Sequence, residues 1–195
     1  MPIRGADIEA ETTLEVNTGT PLIYHWRGYG LKIYIPSDAL KPGTPTLTMS
    51  IQACLSGHFQ LPDDTELVSG VYWVAFPQKF SQPITLELQH CAYLEDPNDL
   101  LFIRAKCNQE ELPYKFHPLP GGVFSTNTCY GAIDLSHFSG VGVARKKKKR
   151  KRKRYTAQLF YIPSASTAAW LMHFTIIRDL ELCLEVCATH VCQYM

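Results

Sequence analysis

The stretch ELVSGVYWVAFPQKFSQPITLELQHCA, residues 66 to 92, decides the fold. Its first part, residues 66 to 76, is rich in β-branched and aromatic residues, which favour a well-buried strand. Its last part, residues 83 to 92, alternates Ile and Leu with Thr, Glu and Gln, and this period of two is typical of a half-buried strand. The stretch therefore predicts two consecutive β-strands.

Runs of the same kind lie on both sides of this stretch. The further predicted strands are residues 29–36, 44–55, 100–107 and 130–143. Turn signals such as KPGTP, EDPND and PLPGG separate them at intervals typical of a sandwich or a barrel, and no long helical period appears among them. We therefore predict an all-β fold, an antiparallel β-sandwich over residues 15–143, with Trp73, Phe76, Leu86 and Leu88 in or near its core.

The charge is divided unevenly along the chain. The run RKKKKRKRKR, Arg145 to Arg154, holds ten of the nineteen Lys and Arg residues. Outside it nine basic residues stand against eighteen acidic ones, so the rest of the chain is acidic. Because ten like charges in sequence repel one another and stay solvated, we expect residues 144–154 to form an exposed polybasic linker, with residues 145 to 154 open to trypsin.

The basic run has two further interpretations. Its composition suits a nuclear import signal read by an importin. It also suits contact with an anionic surface, either lipid or nucleic acid, with a steep salt dependence. Sequence-specific recognition of nucleic acid is not expected, because the run has no aromatic residue to stack on bases.

The segments outside the predicted sandwich are short. We expect residues 1–14 to be a flexible N-terminus, too polar and acidic for a signal peptide. Residues 155–163 predict another strand, and residues 155–195 are too few for an independent core. We interpret residues 155–195 as the truncated start of a second β domain. The longest apolar stretch, residues 168–177, is too short to span a bilayer, so no transmembrane segment is expected.

Seven cysteines form an odd set without regular spacing. A disulfide framework is therefore not expected, and reduced thiols in the cytosol fit better. The cluster Cys183, Cys187, His190 and Cys192 could suggest a metal site, but it has no second ligand pair across a loop. On a helix, Cys183 and Cys187 would simply share a face with Leu180 and Leu184. We expect no metal and no cofactor.

Three segments together resemble the ZU5 domain, which is named for zonula occludens proteins, netrin receptors and ankyrins. The segments are GLKIYIPSDAL (30–40), LPDDTELVSGVYWVAFPQKFSQPITLELQHCA (61–92) and LPGGVFSTNTCYGAIDLSHFSGV (119–141). The similarity covers residues 15–143. Residues 155–163 and the segment IRDLELCLEV (177–186) are similar to the start of a UPA domain. The resemblance implies a β-sandwich for both domains and protein partners in intracellular signalling or cytoskeletal assemblies, including death-domain signalling, in the cytoplasm.

The tripeptide His137-Phe138-Ser139 is the candidate functional motif. Some ZU5-like proteins carry His-Phe-Ser at the corresponding place and cleave themselves between Phe and Ser, and the match here is residue for residue. The resemblance thus implies Ser139 as nucleophile, Phe138 as the residue with the scissile carbonyl and His137 as general base.

A physical argument points the same way. In a strand, residues two apart share a face, so His137 and Ser139 are expected on the apolar face with Leu135. Burial disfavours the imidazolium, and a neutral His137 can accept a proton. Ser139 would then attack the Phe138 carbonyl in an N-to-O acyl shift, with Gly140 allowing a tight, distorted backbone.

Two functions stay open from the sequence. The first is a self-processing signalling domain that cleaves itself once, which is at most a single-turnover reaction and not a turnover enzyme. The second is a non-cleaving scaffold module that binds proteins through its sandwich surface, in which the tripeptide is a strand end with an ordinary histidine and serine.

Overall fold

The computed structural model describes residues 5–106, 112–137, 139–147, 155–163 and 170–180. These residues form sixteen β-strands and one short 3₁₀ helix. In chain order the elements are β1 (Ala6–Val16), β2 (Leu22–Trp26), β3 (Leu31–Ile35), β4 (Leu47–Gly57), β5 (Phe59–Gln60), β6 (Thr65–Leu67), β7 (Val71–Ala75), β8 (Ile84–Gln89), the 3₁₀ helix (Pro97–Asp99), β9 (Leu100–Ala105), β10 (Tyr114–Lys115), β11 (His117–Leu119), β12 (Val123–Phe124), β13 (Tyr130–Leu135), β14 (Gly140–Lys146), β15 (Tyr155–Pro163) and β16 (Trp170–Arg178).

Two antiparallel sheets enclose the main core. The seven-stranded sheet has the order β1-β4-β7-β14-β9-β11, with β6 also paired to β14, and the five-stranded sheet has the order β12-β13-β8-β3-β2. Alternate residues of both sheets meet between them, including Ile51 and Val141 from the first and Ile33 and Leu86 from the second. The predicted all-β antiparallel sandwich is confirmed.

A second, smaller core covers the outer face of the seven-stranded sheet. On β7, Tyr72 faces the main core, whereas Trp73 faces the second cluster with Tyr114 and Phe116. The Trp73 ring lies 4.7 Å from that of Tyr114 and 6.1 Å from that of Phe116, between ring centroids. Strand β7 is therefore buried on both faces, which explains its unbroken run of apolar and aromatic residues.

Three of the four predicted core residues lie in or against the main core, and the fourth is buried outside it. Leu86 and Leu88 are fully buried in the main core, and Trp73 is buried in the second cluster. Phe76 is partly buried and stacks on Phe80, with ring centroids 4.5 Å apart. The prediction is confirmed for Leu86, Leu88 and Phe76, whereas Trp73 is buried on the opposite face of β7.

The segment predicted as one strand over residues 130–143 is two strands in different sheets. β13 lies between β12 and β8 in the five-stranded sheet, and β14 lies between β7 and β9 in the seven-stranded sheet. Residues 136–139 carry the chain across. The hydrophobic period continues through the break because β13 and β14 both present alternate residues to the same core.

Both ends of the sandwich extend beyond the expected bounds. β1 begins at Ala6 and pairs with β4 along its length, so the expectation of a flexible segment fails for residues 6–14. At the other end β14 continues to Lys146. Leu14 and Val16 of β1 are buried in the main core, and this burial holds the strand in place.

The first residue of the basic run is not a solvated linker residue. Arg145 is only 1% exposed, and its Nε and Nη2 donate to Glu66 Oε1 at 3.2 and 2.5 Å. The expectation that Arg145 is exposed is therefore wrong, because a carboxylate partner and strand pairing offset its burial. Lys146 and Lys147 are exposed. Residues 148–154 lie outside the described residues.

The last described segment is an antiparallel hairpin of β15 and β16, which confirms the strand predicted at residues 155–163. Its end touches the sandwich: Arg178 Nη1 donates to the Leu67 carbonyl at 3.3 Å, and Leu180 is 2% exposed within the main core. The Cys183–Cys192 cluster lies outside the described residues. Among the described residues there is no helix long and apolar enough to cross a membrane, and no group of side chains arranged to hold a metal ion.

Candidate functional site

Ser139 lies where the chain has just crossed from one sheet into the other. The residue is 3% exposed, and it directly precedes β14, in which Val141 faces the main core. Within the described part of the chain its hydroxyl Oγ has no hydrogen-bond partner, which is uncommon for a buried polar atom. The hydroxyl is therefore removed from water without a competing hydrogen bond to hold it.

The crossover is anchored at both ends by backbone hydrogen bonds. The Phe80 N–H donates to the Ser136 carbonyl, and the Val74 N–H donates to the Ser139 carbonyl, each at 3.3 Å. Phe80 and Val74 are both buried. The short link between the sheets is thus fixed on either side of the Phe138–Ser139 bond, while Phe138 itself lies outside the described residues.

His137 does not occupy the predicted position. It is exposed, so the expectation that it is buried on the apolar face with Ser139 is wrong. The reason is that β13 ends at Leu135, after which the period of two no longer applies. Its ring Nε2 lies 2.8 Å from Arg104 Nη1, and its Nδ1 lies 3.3 Å from Ser136 Oγ. Among the described residues no hydrogen bond joins His137 to Ser139.

Arg104 is the site residue that sequence reasoning missed. It lies on β9 and pairs with Val141 of β14, which brings its side chain to the crossover. The available signal was a single arginine within the apolar run LLFIRAKC. The pairing register of β9 with β14, which joins residues far apart in sequence, is not readable from that run alone.

Gly140 is required for a different reason from the one expected. Its backbone is not in the left-handed region, and it pairs in register with Trp73 and Ala105. A Cβ built on Gly140 would lie 2.6 Å from the Trp73 ring. The glycine therefore allows the indole to cover the backbone next to Ser139. The Trp73 indole N–H is also buried with no hydrogen-bond partner among the described residues.

Cys54 does not offer a competing nucleophile. The structure describes three cysteines, Cys54, Cys91 and Cys129, and none of them is in a disulfide. Burial, together with the charges of Glu9 and Asp7, raises the pKa of Cys54 to about 12. A thiol with that pKa stays protonated and unreactive at neutral pH.

Comparison with known proteins adds no relative. No protein-family model matches this chain, and no curated protein matches it significantly. The resemblance to the ZU5 and UPA domains stays a prediction from the sequence motifs.

Proposed function

We propose that this chain is a self-cleaving protein module that breaks its own Phe138–Ser139 peptide bond once. The observation that carries the proposal is the buried hydroxyl of Ser139, which has no hydrogen-bond partner among the described residues and lies at a crossover anchored on both sides. The His-Phe-Ser match to self-cleaving ZU5-like proteins supports it from the sequence. The chemistry requires only groups that this chain contains and one water molecule, since a serine hydroxyl can attack the carbonyl that directly precedes it and water can hydrolyse the resulting ester.

The reaction is an N-to-O acyl shift followed by hydrolysis. Ser139 Oγ attacks the carbonyl carbon of Phe138, so that a C–O bond forms and the C–N bond to Ser139 breaks. His137 takes the hydroxyl proton and delivers it to the leaving nitrogen of Ser139. Water then hydrolyses the ester, leaving a carboxylate on Phe138 and a free amine and hydroxyl on Ser139. For this step His137 must leave Arg104 and turn toward Ser139.

Because the cleavage occurs once per molecule, a slow reaction is sufficient. A rate constant of about 10⁻⁴ per second corresponds to a barrier of roughly 23 kcal/mol. Base catalysis contributes a factor of about 10²–10⁴, and the buried position of Ser139 strengthens the electrostatic part of the step.

The two fragments are expected to stay together after cleavage. The second fragment begins with Ser139 and β14, which pairs with β9 on one side and with β7 and β6 on the other. Val141 and Val143 are fully buried in the main core. A nick at residue 138 removes none of these contacts, so size exclusion of the native protein should show one species.

The test is mass spectrometry of freshly purified, denatured protein, which should show a fragment that begins at Ser139. Ser139→Ala should abolish that fragment, Ser139→Cys should retain it because a thiol makes the same shift, and His137→Ala should slow its formation by about 10²–10⁴. Ser37→Ala, which removes the hydroxyl of an exposed serine just after β3 and leaves the crossover unchanged, is the matched control. A purified chain that stays full-length for days contradicts the proposal.

A second candidate is a non-cleaving interaction module, and an exposed apolar pair favours it. Ile23 is 80% exposed, and its cross-strand neighbour Tyr34 is 45% exposed on the outer face of the five-stranded sheet. If the chain stays full-length, Ile23→Lys should abolish capture of a partner without changing the unfolding temperature, since Ile23 lies outside the core.

The proposed setting is an intracellular signalling or cytoskeletal assembly with protein partners, in the cytoplasm. The ZU5 resemblance and the reduced-thiol composition support it. Lys146 to Arg154 then serve as a linker, as an importin signal for nuclear entry or as a contact for an anionic surface.

A further inference from the structure

Arg104 and His137 form the one polar side-chain contact between β9 and the crossover that the described residues show. The Arg104 Nη1 atom lies 2.8 Å from His137 Nε2. Arg104 is half-buried and is held on a paired strand, opposite Val141 of β14 and His117 of β11. His137 stands on the short crossover. The rigid sheet therefore supplies one partner of this contact and the crossover supplies the other.

The chemistry of the two groups fixes the direction of the hydrogen bond. A guanidinium has only N–H donors, so Nε2 of His137 must accept. The ring proton is then on Nδ1, which faces Ser136 Oγ at 3.3 Å and donates to it. The basic lone pair of the imidazole is occupied by Arg104, and the other nitrogen is occupied by Ser136. Neither nitrogen is free to accept the Ser139 proton.

We propose that Arg104 is a positioning residue that holds His137 as the Nδ1–H tautomer, turned away from Ser139, and thereby restrains self-cleavage. Its effect on rate rests on the proposed function; its effect on the His137 ring does not. Loss of the contact frees Nε2 to act as the base. We expect the cleavage rate to rise about tenfold, because this factor corresponds to the free energy of about one hydrogen bond.

The ring measurement uses the Ser139→Ala chain, labelled with ¹⁵N, so that no cleavage occurs. Long-range ¹H–¹⁵N spectra report which ring nitrogen carries the proton, and a His137→Gln spectrum assigns the signal among the seven histidines. We expect Nδ1–H with Arg104 present and with Arg104→Lys, and a mixture of tautomers with Arg104→Met. Arg27→Met, which removes an exposed arginine from the turn after β2, should leave the spectrum unchanged.

The rate measurement uses the chain with its native Ser139. Arg104→Met should speed formation of the Ser139 fragment about tenfold, and Arg104→Lys should leave it near the original rate. If the His137 ring carries its proton on Nε2 while Arg104 is in place, the proposal is overturned, whether or not Arg104→Met folds. If Arg104→Met folds and cleaves more slowly than the original chain, the proposal is also overturned. If no variant cleaves, the proposed function and the restraint fail together, whereas the tautomer still decides whether Arg104 positions the ring.

Discussion

The buried ion pair between Arg145 and Glu66 gives the sharpest test of the fold around β14. The Arg145 side chain is 2% exposed and that of Glu66 is 27% exposed, and the closest N–O distance is 2.5 Å. Glu66→Ala leaves a guanidinium buried without its carboxylate. Removing one partner of a fully buried pair costs about 3–5 kcal/mol. Because water reaches Glu66, we expect Glu66→Ala to lower the free energy of unfolding by about 2–3 kcal/mol, which corresponds to a drop of about 5–10 °C in unfolding temperature.

The same molecule offers a matched control. Lys32 and Glu87 also form an ion pair at 3.0 Å, but both side chains are more than a third exposed, and Lys32 also lies 4.0 Å from the Tyr130 ring centroid. Exposed pairs contribute about 0–1 kcal/mol, so Glu87→Ala should cost little. The assay is urea or thermal unfolding of both variants at the same salt concentration.

One comparison refutes the reasoning. If Glu66→Ala costs no more than Glu87→Ala, then Arg145 is not buried against Glu66 and β14 does not continue into the basic run. A second variant strengthens the test: adding Arg145→Met to Glu66→Ala should restore much of the lost stability, because the buried guanidinium charge is then gone.

Two further predictions concern packing and reactivity. Gly140→Ala should destabilise the sandwich by about 1–3 kcal/mol in a urea titration, because the added Cβ would lie 2.6 Å from the Trp73 ring. Gly142→Ala should cost less in the same titration, because the nearest atom to its added Cβ is 3.4 Å away. Iodoacetamide at pH 8 should label Cys129 in the native protein and leave Cys54 unlabelled, because the pKa of Cys54 is raised to about 12 and its thiol stays protonated at pH 8. Equal labelling of the two cysteines would contradict the burial of Cys54.

The sequence predicted the strands well where one residue in two met the core. The alternation around Leu86 and Leu88 is a local property, and the structure confirms it. The break between β13 and β14 was missed because both strands face one core, so their periods join without a gap. Arg145 was missed because a run of like charges predicts solvation, whereas its partner Glu66 lies far away in sequence.

The candidate site was only partly predictable for the same physical reason. The tripeptide is local, and the burial of Ser139 follows from its place before β14. The exposure of His137 depends on where β13 ends, and its contact with Arg104 depends on the register of β14 with β9. Pairing between distant strands leaves no mark in either segment alone, so those features required the structure.

The position of β14 has a mechanical consequence for a chain cut at residue 138. The central strand of the larger sheet would then belong to a separate polypeptide, and the sandwich would become a complex of two chains whose interface is a hydrophobic core. Such a complex cannot dissociate by simple separation of surfaces, because β14 has paired neighbours on both sides. The lifetime of the complex is therefore the unfolding time of the sandwich. A pulling force on the segment after Lys147 would shorten that lifetime, because it would separate β14 from its neighbouring strands.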